Sequence, residues 1–178
     1  MGTAGAHVFA VEADAKGFQR RLSLQGVTFS VSSPNKGSVN TLRVIPSGNI
    51  ATKKPIVTRV DGTVTGAEIA DLNGDGWPEL VVFVTSAGSG SYGSLVGYSV
   101  NQGKSVTEFN LPDLSEDKVA SQGYQGHDQF AIVDNTLVRR FPVYLDGDSN
   151  AQPTGGSRQI SYQLVPGEAT WLLKLLRK

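Results

Sequence analysis

Apolar residues in this chain recur at every second position, in runs too short for a helix and closed by Gly, Pro, Asn or Asp. Phe18, Leu22 and Leu24 lead into Val27, Phe29 and Val31 across Gly26. A period of two sends successive side chains to opposite faces of an extended backbone, so such a run reads as one bulged strand or two strands with a buried face. The same reading covers residues 40–45, 56–60, 64–70, 95–100, 130–134, 137–145 and 158–164. Pro46 and Pro55 are expected at strand borders, where a missing N–H is tolerated, and Asp134-Asn135 reads as a hairpin turn. Residues 79–85, ELVVFVT, depart from alternation. A continuous apolar run of this length marks a central strand covered on both faces.

Two segments carry other signals. Residues 111–120 open with Pro112-Asp113 and place Ser115 before Glu116, which predicts a short helix. Residues 168–177, EATWLLKLLR, alternate through Trp171, Leu173 and Leu175, while Trp171, Leu172, Leu175 and Leu176 would make a helical stripe; the strand is preferred. The expectation is an all-β fold, an antiparallel β-sandwich of about 8–10 short strands with little helix. Residues 7–178 are expected to form that single domain behind a flexible N-terminal segment, residues 1–6. No period of 20–50 residues repeats, which argues against a solenoid or propeller.

Composition narrows the function. Gly and Pro make up 29 of 178 residues, in keeping with many turns. Cys is absent and His occurs twice, which excludes a disulfide scaffold, a thiol nucleophile and a thiolate or His-rich metal site. No apolar run approaches the roughly 18 residues of a membrane-spanning helix. Net charge is zero, so nucleic acid is not an expected partner. The charge is uneven along the chain: residues 1–60 net +6, residues 61–128 net −8 and residues 129–178 net +2. Residues 1–6 show neither the basic nor the apolar region of an export signal.

Three loops are candidates for chemistry. Asp71, Asn73 and Asp75 alternate along Asp71-Leu72-Asn73-Gly74-Asp75-Gly76-Trp77-Pro78-Glu79. Oxygen ligands at alternate positions with Gly at the turn suit Ca²⁺. The ligands would be Asp71, Asn73, Asp75, the Trp77 carbonyl and Glu79, a set that resembles the short calcium loops of integrin-type repeats. A metal-free Asn/Asp/Gly turn is the competing reading. Residues 88–93, Gly88-Ser89-Gly90-Ser91-Tyr92-Gly93, match a dinucleotide fingerprint. That fingerprint needs a helix after it, and strand-like SLVGYSV follows instead. As a charge-free, Ser-rich loop with one Tyr, the segment suits a partner whose cleft normally holds sugar, Tyr92 being a rigid amphipathic anchor. Asp146, Asp148 and Asn150 lie in a polar loop, residues 146–156, read as a solvated turn or a secondary contact loop. His127 is expected to be a hydrogen-bonded structural residue, and no serine sits in a nucleophile elbow.

The run TGAEIADLNGDGWPELVVFVTSAGSGSYGSLVGYSV, residues 65–100, resembles the periplasmic inhibitors of invertebrate-type (i-type) lysozyme, the PliI family. GYQGHDQFAIV and FPVYLDGDSNAQPTGGSRQISY resemble the same family. The resemblance implies a β-sandwich protein, often dimeric, with a role in host–bacteria interaction. It implies a periplasmic location with the export signal removed, and i-type lysozyme as the partner. Related inhibitors carry a Ser-Gly-x-x-Tyr type loop that enters the lysozyme cleft; Ser89, Gly90 and Tyr92 correspond to it, with one residue between Gly and Tyr. Target binding is then expected at Ser89, Gly90, Ser91, Tyr92 and Gly93. A lysozyme inhibitor of this kind is not an enzyme, requires no cofactor, and contacts neither nucleic acid nor membrane; any Ca²⁺ at residues 71–79 would be structural. The competing expectation is a calcium-dependent carbohydrate-binding module that stacks sugar on Trp77 or Tyr92.

Overall fold

The computed structural model describes residues 7–9 and 17–177. The N-terminal residues 1–6, expected to be flexible, lie outside the described residues. Thirteen strands form among those described: β1 (His7–Phe9), β2 (Phe18–Leu24), β3 (Val27–Ser33), β4 (Asn40–Gly48), β5 (Ile56–Val60), β6 (Thr63–Ala70), β7 (Glu79–Thr85), β8 (Gly93–Asn101), β9 (Ser105–Asn110), β10 (Gln129–Val133), β11 (Thr136–Pro142), β12 (Ser157–Pro166) and β13 (Trp171–Leu175). The helix expected over 111–120 is a single 3-10 turn, Leu114–Glu116, whose Ser115 N–H is capped by the Asp113 carboxylate. The last segment is a strand, as its alternation predicts.

The strands make three antiparallel sheets in chain order: β1-β2-β3-β4-β5, β6-β7-β8-β9 and β10-β11-β12-β13. Each is a meander. Tight turns drive this, as where Gln25 and Gly26 both take positive φ (51° and 79°) and close β2 onto β3. That geometry matches the twist of the flanking strands, and it makes the Phe18 to Val31 run two strands rather than one bulged strand. Asp134 and Asn135 do the same for β10 and β11.

The all-β, antiparallel expectation is met, and the sandwich gains a third layer. Leu80, Val82 and Val84 of β7 join Val96, Tyr98 and Val100 of β8 in a core shared with Leu22, Phe29 and Val44 of the first sheet. Val81 and Phe83 point the other way, into a second core with Leu137, Tyr162, Leu164 and Leu173 of the third sheet. The middle sheet is therefore buried on both faces, which is why β7 shows no alternation. Polar bonds tie the layers at their margins. Arg20 Nη1 donates to the Ala67 carbonyl (2.9 Å), the Ile132 N–H donates to Glu68 Oε2 (2.8 Å), and Trp171 Nε1 donates to Asn101 Oδ1 (3.0 Å).

Candidate functional site

Strand β7 carries one candidate loop at each end. Residues 71–78 precede Glu79, and residues 86–92 follow Thr85. Seven residues at ~3.3 Å each put about 20 Å between them. Trp77 and Tyr92 accordingly sit at opposite ends of the strand, with Trp77 packed against the first core. They cannot form one sugar-stacking surface.

The first loop is closed by its own hydrogen bonds. Asp71 accepts from the N–H groups of Asp75 (3.1 Å) and Gly76 (2.9 Å), and from Gln25 Nε2 (3.0 Å). Asp75 accepts from the Trp77 N–H (2.8 Å), and Asn73 Oδ1 accepts from the Asp75 N–H (3.0 Å). Glu79 is fully buried and accepts from the Leu72 N–H (2.7 Å) and the Ser99 hydroxyl (2.8 Å). Among the described residues no group of three or more His, Cys, Asp or Glu is gathered closely enough to hold a metal ion. As arranged, the carboxylates serve the turn itself.

Burial pushes the Glu79 carboxyl up to about 7, against the pull of the Ser99 and Leu72 hydrogen bonds and with help from Asp75 and Asp71. The folded protein thus holds a proton that the unfolded chain releases near pH 4.5. Glu79 contributes its stability below that pH and loses it as pH rises to about 7. The full span is worth on the order of 3 kcal/mol. In Glu79→Gln, an amide oxygen can face Leu72 and an amide NH₂ can face Ser99, so the site is kept without the titration. Melting temperatures measured with chelator between pH 4.5 and 7.5 are expected to favour Glu79→Gln increasingly over the parent. Parallel profiles would contradict this.

The second loop is the tip of the β7–β8 hairpin. No helix follows it: β8 begins directly at Gly93, so the glycine pattern is not a nucleotide-binding turn. The Ser86 N–H donates to the Tyr92 carbonyl (2.8 Å) and the Tyr92 N–H to Ser86 Oγ (3.0 Å), which closes the base of the loop. The Ser91 N–H reaches the Gly88 carbonyl (3.3 Å), turning the chain about Ser89 and Gly90. Ser89 is exposed, and Tyr92 is 49% exposed. A Cβ on Gly90 would collide with the Tyr92 ring, so this glycine lets the ring fold back over the backbone.

Two other segments clamp the tip. The His127 backbone N–H donates to the carbonyls of Gly90 (3.0 Å) and Ser91 (3.2 Å). Its ring lies near Tyr144 and has Nε2 3.4 Å from Asn150 Oδ1. Asn150 in turn donates from Nδ2 to the Ser89 carbonyl (3.1 Å). The 146–156 loop thus touches the tip through Asn150. Asp148 spends both oxygens within that loop, on the N–H groups of Leu145 and Thr154 and the Thr154 hydroxyl, which hold its carboxyl below the ordinary range. Asp146 is exposed.

Beneath the tip lies a buried polar network. Arg139 Nε donates to Asp128 Oδ1 (2.6 Å), the two side chains being 3% and 0% exposed. Asp128 Oδ2 accepts from the Gly93 N–H (2.7 Å) and the Tyr124 hydroxyl (2.6 Å). Arg139 Nη2 donates to the Tyr124 oxygen (2.8 Å) and Nη1 to that of Tyr162 (3.4 Å). Burial opposes the Arg139 charge, but Asp128 outweighs it and leaves the guanidinium above its ordinary range. Burial, then donation to Asp128, raises the Tyr124 phenol. The sequence reading missed these residues. The signal was present in Leu137, Arg139 and Phe141, the buried positions of β11, where an arginine stands at an inward site. The charge bonded to the tip is thus neutralised within the Asp128–Arg139 pair. Asp71 and Asp75 belong to the far end of β7.

Residues 50–122 match the family model described as periplasmic lysozyme inhibitor of I-type lysozyme. The matched stretch takes in both candidate loops and ends before Tyr124, Asp128 and Arg139. Neither a curated protein nor a solved structure matches the chain.

Proposed function

We propose that this chain, which carries the PliI-family segment over residues 50–122, inhibits i-type lysozyme by placing the 86–92 hairpin tip in the glycosidase cleft. One observation carries the reading: within the matched segment, the charge-free tip presents Ser89 and half-exposed Tyr92 outward on a backbone held from below. A glycosidase cleft offers two carboxyl groups, one of them protonated. Serine and tyrosine hydroxyls both donate and accept, so each can bond to either form. Inhibition is by occlusion and hydrogen bonding, with no covalent step and no cofactor.

Titration into an i-type lysozyme cell-wall assay, with and without chelator, tests this. Inhibition is expected in both arms; an ion at residues 71–79 would serve the fold, about 20 Å from the tip. Inhibition abolished by chelator would favour a calcium-dependent sugar-binding module, and none in either arm would end the inhibitor reading.

The family's printed name places it in the periplasm, and the same location is proposed for this chain. No helix among the described residues is long and apolar enough to cross a membrane. A homodimer is proposed as well, because β5 ends the first sheet with Val57 60% exposed. An unpaired edge with an apolar side chain favours pairing with a second copy. Light scattering is expected to give about 38 kDa, twice the 18.9 kDa of the chain. A value at the chain mass would overturn it.

A further inference from the structure

We propose that Asp128 is the positioning residue of the inhibitory tip, its buried carboxylate fixing the base of the loop to the third sheet so that Ser89 and Tyr92 meet lysozyme already ordered. This rests on the tip reading above and adds the device that holds it.

The carboxylate is a joint between two bodies. On one side it accepts from Arg139, which sits on β11 between β10 and β12. On the other it accepts from the backbone N–H of Gly93, the residue that follows Tyr92 and opens β8. A Cβ on Gly93 would lie 2.5 Å from the Asp128 Cβ and 2.6 Å from the Phe130 ring, so glycine is what admits the carboxylate. Tyr124 completes the support. Its hydroxyl donates to Asp128, and its ring meets Tyr92 edge-on at 5.8 Å and Phe141 at 4.8 Å between centroids. Tyr92 is thus held through its neighbour's backbone and through its own ring by one network. A loop ordered before encounter avoids the entropy of ordering on binding.

A buried ion pair is a weak source of net stability, since apolar residues of similar volume often replace one without loss. Here the acid also reaches a loop of the neighbouring sheet, and that contact is what the experiment isolates. In Asp128→Asn only one end of the amide accepts, so it cannot serve both the Gly93 N–H and Arg139 Nε. Inhibition of i-type lysozyme is read well below the unfolding midpoint. Val82→Ala, a core change on the opposite side of the middle sheet, serves as the stability control. Asp128→Asn is expected to inhibit ~10- to 100-fold more weakly, with faster amide hydrogen exchange at Tyr92 and Gly93. Val82→Ala is expected to inhibit like the parent. If Asp128→Asn does not fold, Tyr124→Phe keeps the ring, removes one donor to the carboxylate and is expected to show a smaller loss of the same kind.

Folded Asp128→Asn that inhibits like Val82→Ala overturns the positioning role, and so does parental inhibition by Tyr124→Phe where that variant stands in. Tyr92→Ala, run alongside, separates the two ideas. If it has lost inhibition while Asp128→Asn keeps it, only the positioning role fails. If Tyr92→Ala itself inhibits fully, the tip reading fails and takes the positioning role with it.

Discussion

Tyr92→Ala is expected to weaken inhibition by roughly 30- to 1000-fold, the ~2–4 kcal/mol that truncating a central aromatic anchor costs. Tyr92 is the one large side chain of the tip, and it is half exposed. Its loss removes an edge contact with Tyr124 but no core packing, so denaturation profiles of variant and parent are expected to coincide. Ser89→Ala, one hydrogen bond into a desolvated cleft, is expected to cost less, ~1–2 kcal/mol. Tyr92→Phe divides the anchor. A loss near that of the alanine variant assigns the contact to the hydroxyl, and near-parental inhibition assigns it to the ring. Full inhibition by folded Tyr92→Ala would move the search to the Asn150 loop.

Arg139→Ala is expected to be the most destabilising single change near the site, at ~3–5 kcal/mol by denaturant unfolding. The magnitude comes from what remains rather than from what is removed: Asp128 would be left with no counter-charge at a fully buried position. The double variant Arg139→Ala/Asp128→Ala is therefore expected to be less unstable than the sum of its parts. A cost below about 1 kcal/mol for Arg139→Ala would show the pair to behave as an exposed one.

Most of the strand pattern was legible because half-buried strands print their period into the sequence. The run at β7 was legible for the opposite reason, since burial on both faces erases the period. Strand β9 was missed because SVTEFN places only Val106 and Phe109 at apolar positions, too few to show alternation. The third layer was not legible because no local pattern states which outer sheet a given face meets. The tip could be found from its lack of charge and its single Tyr. Its support could not, because Gly93, Tyr124, Asp128 and Arg139 converge from three chain segments, and only an inward arginine on β11 marks the place.

Every hydrogen-bonded ladder among the described strands joins neighbours in the chain, with no crossover in any sheet. That has a kinetic consequence. All-β chains usually fold slowly because distant segments must meet before any contact rewards them. Here β2–β3, β8–β9 and β10–β11 close over turns of two or three residues, an event of about 1–10 μs, whereas β11 and β12 are joined by the longer 143–156 segment, so each sheet zips first from its tightest turn. The expected slow step is the docking of three preformed meanders, in which the outer two have nothing to pack against until the middle one exists.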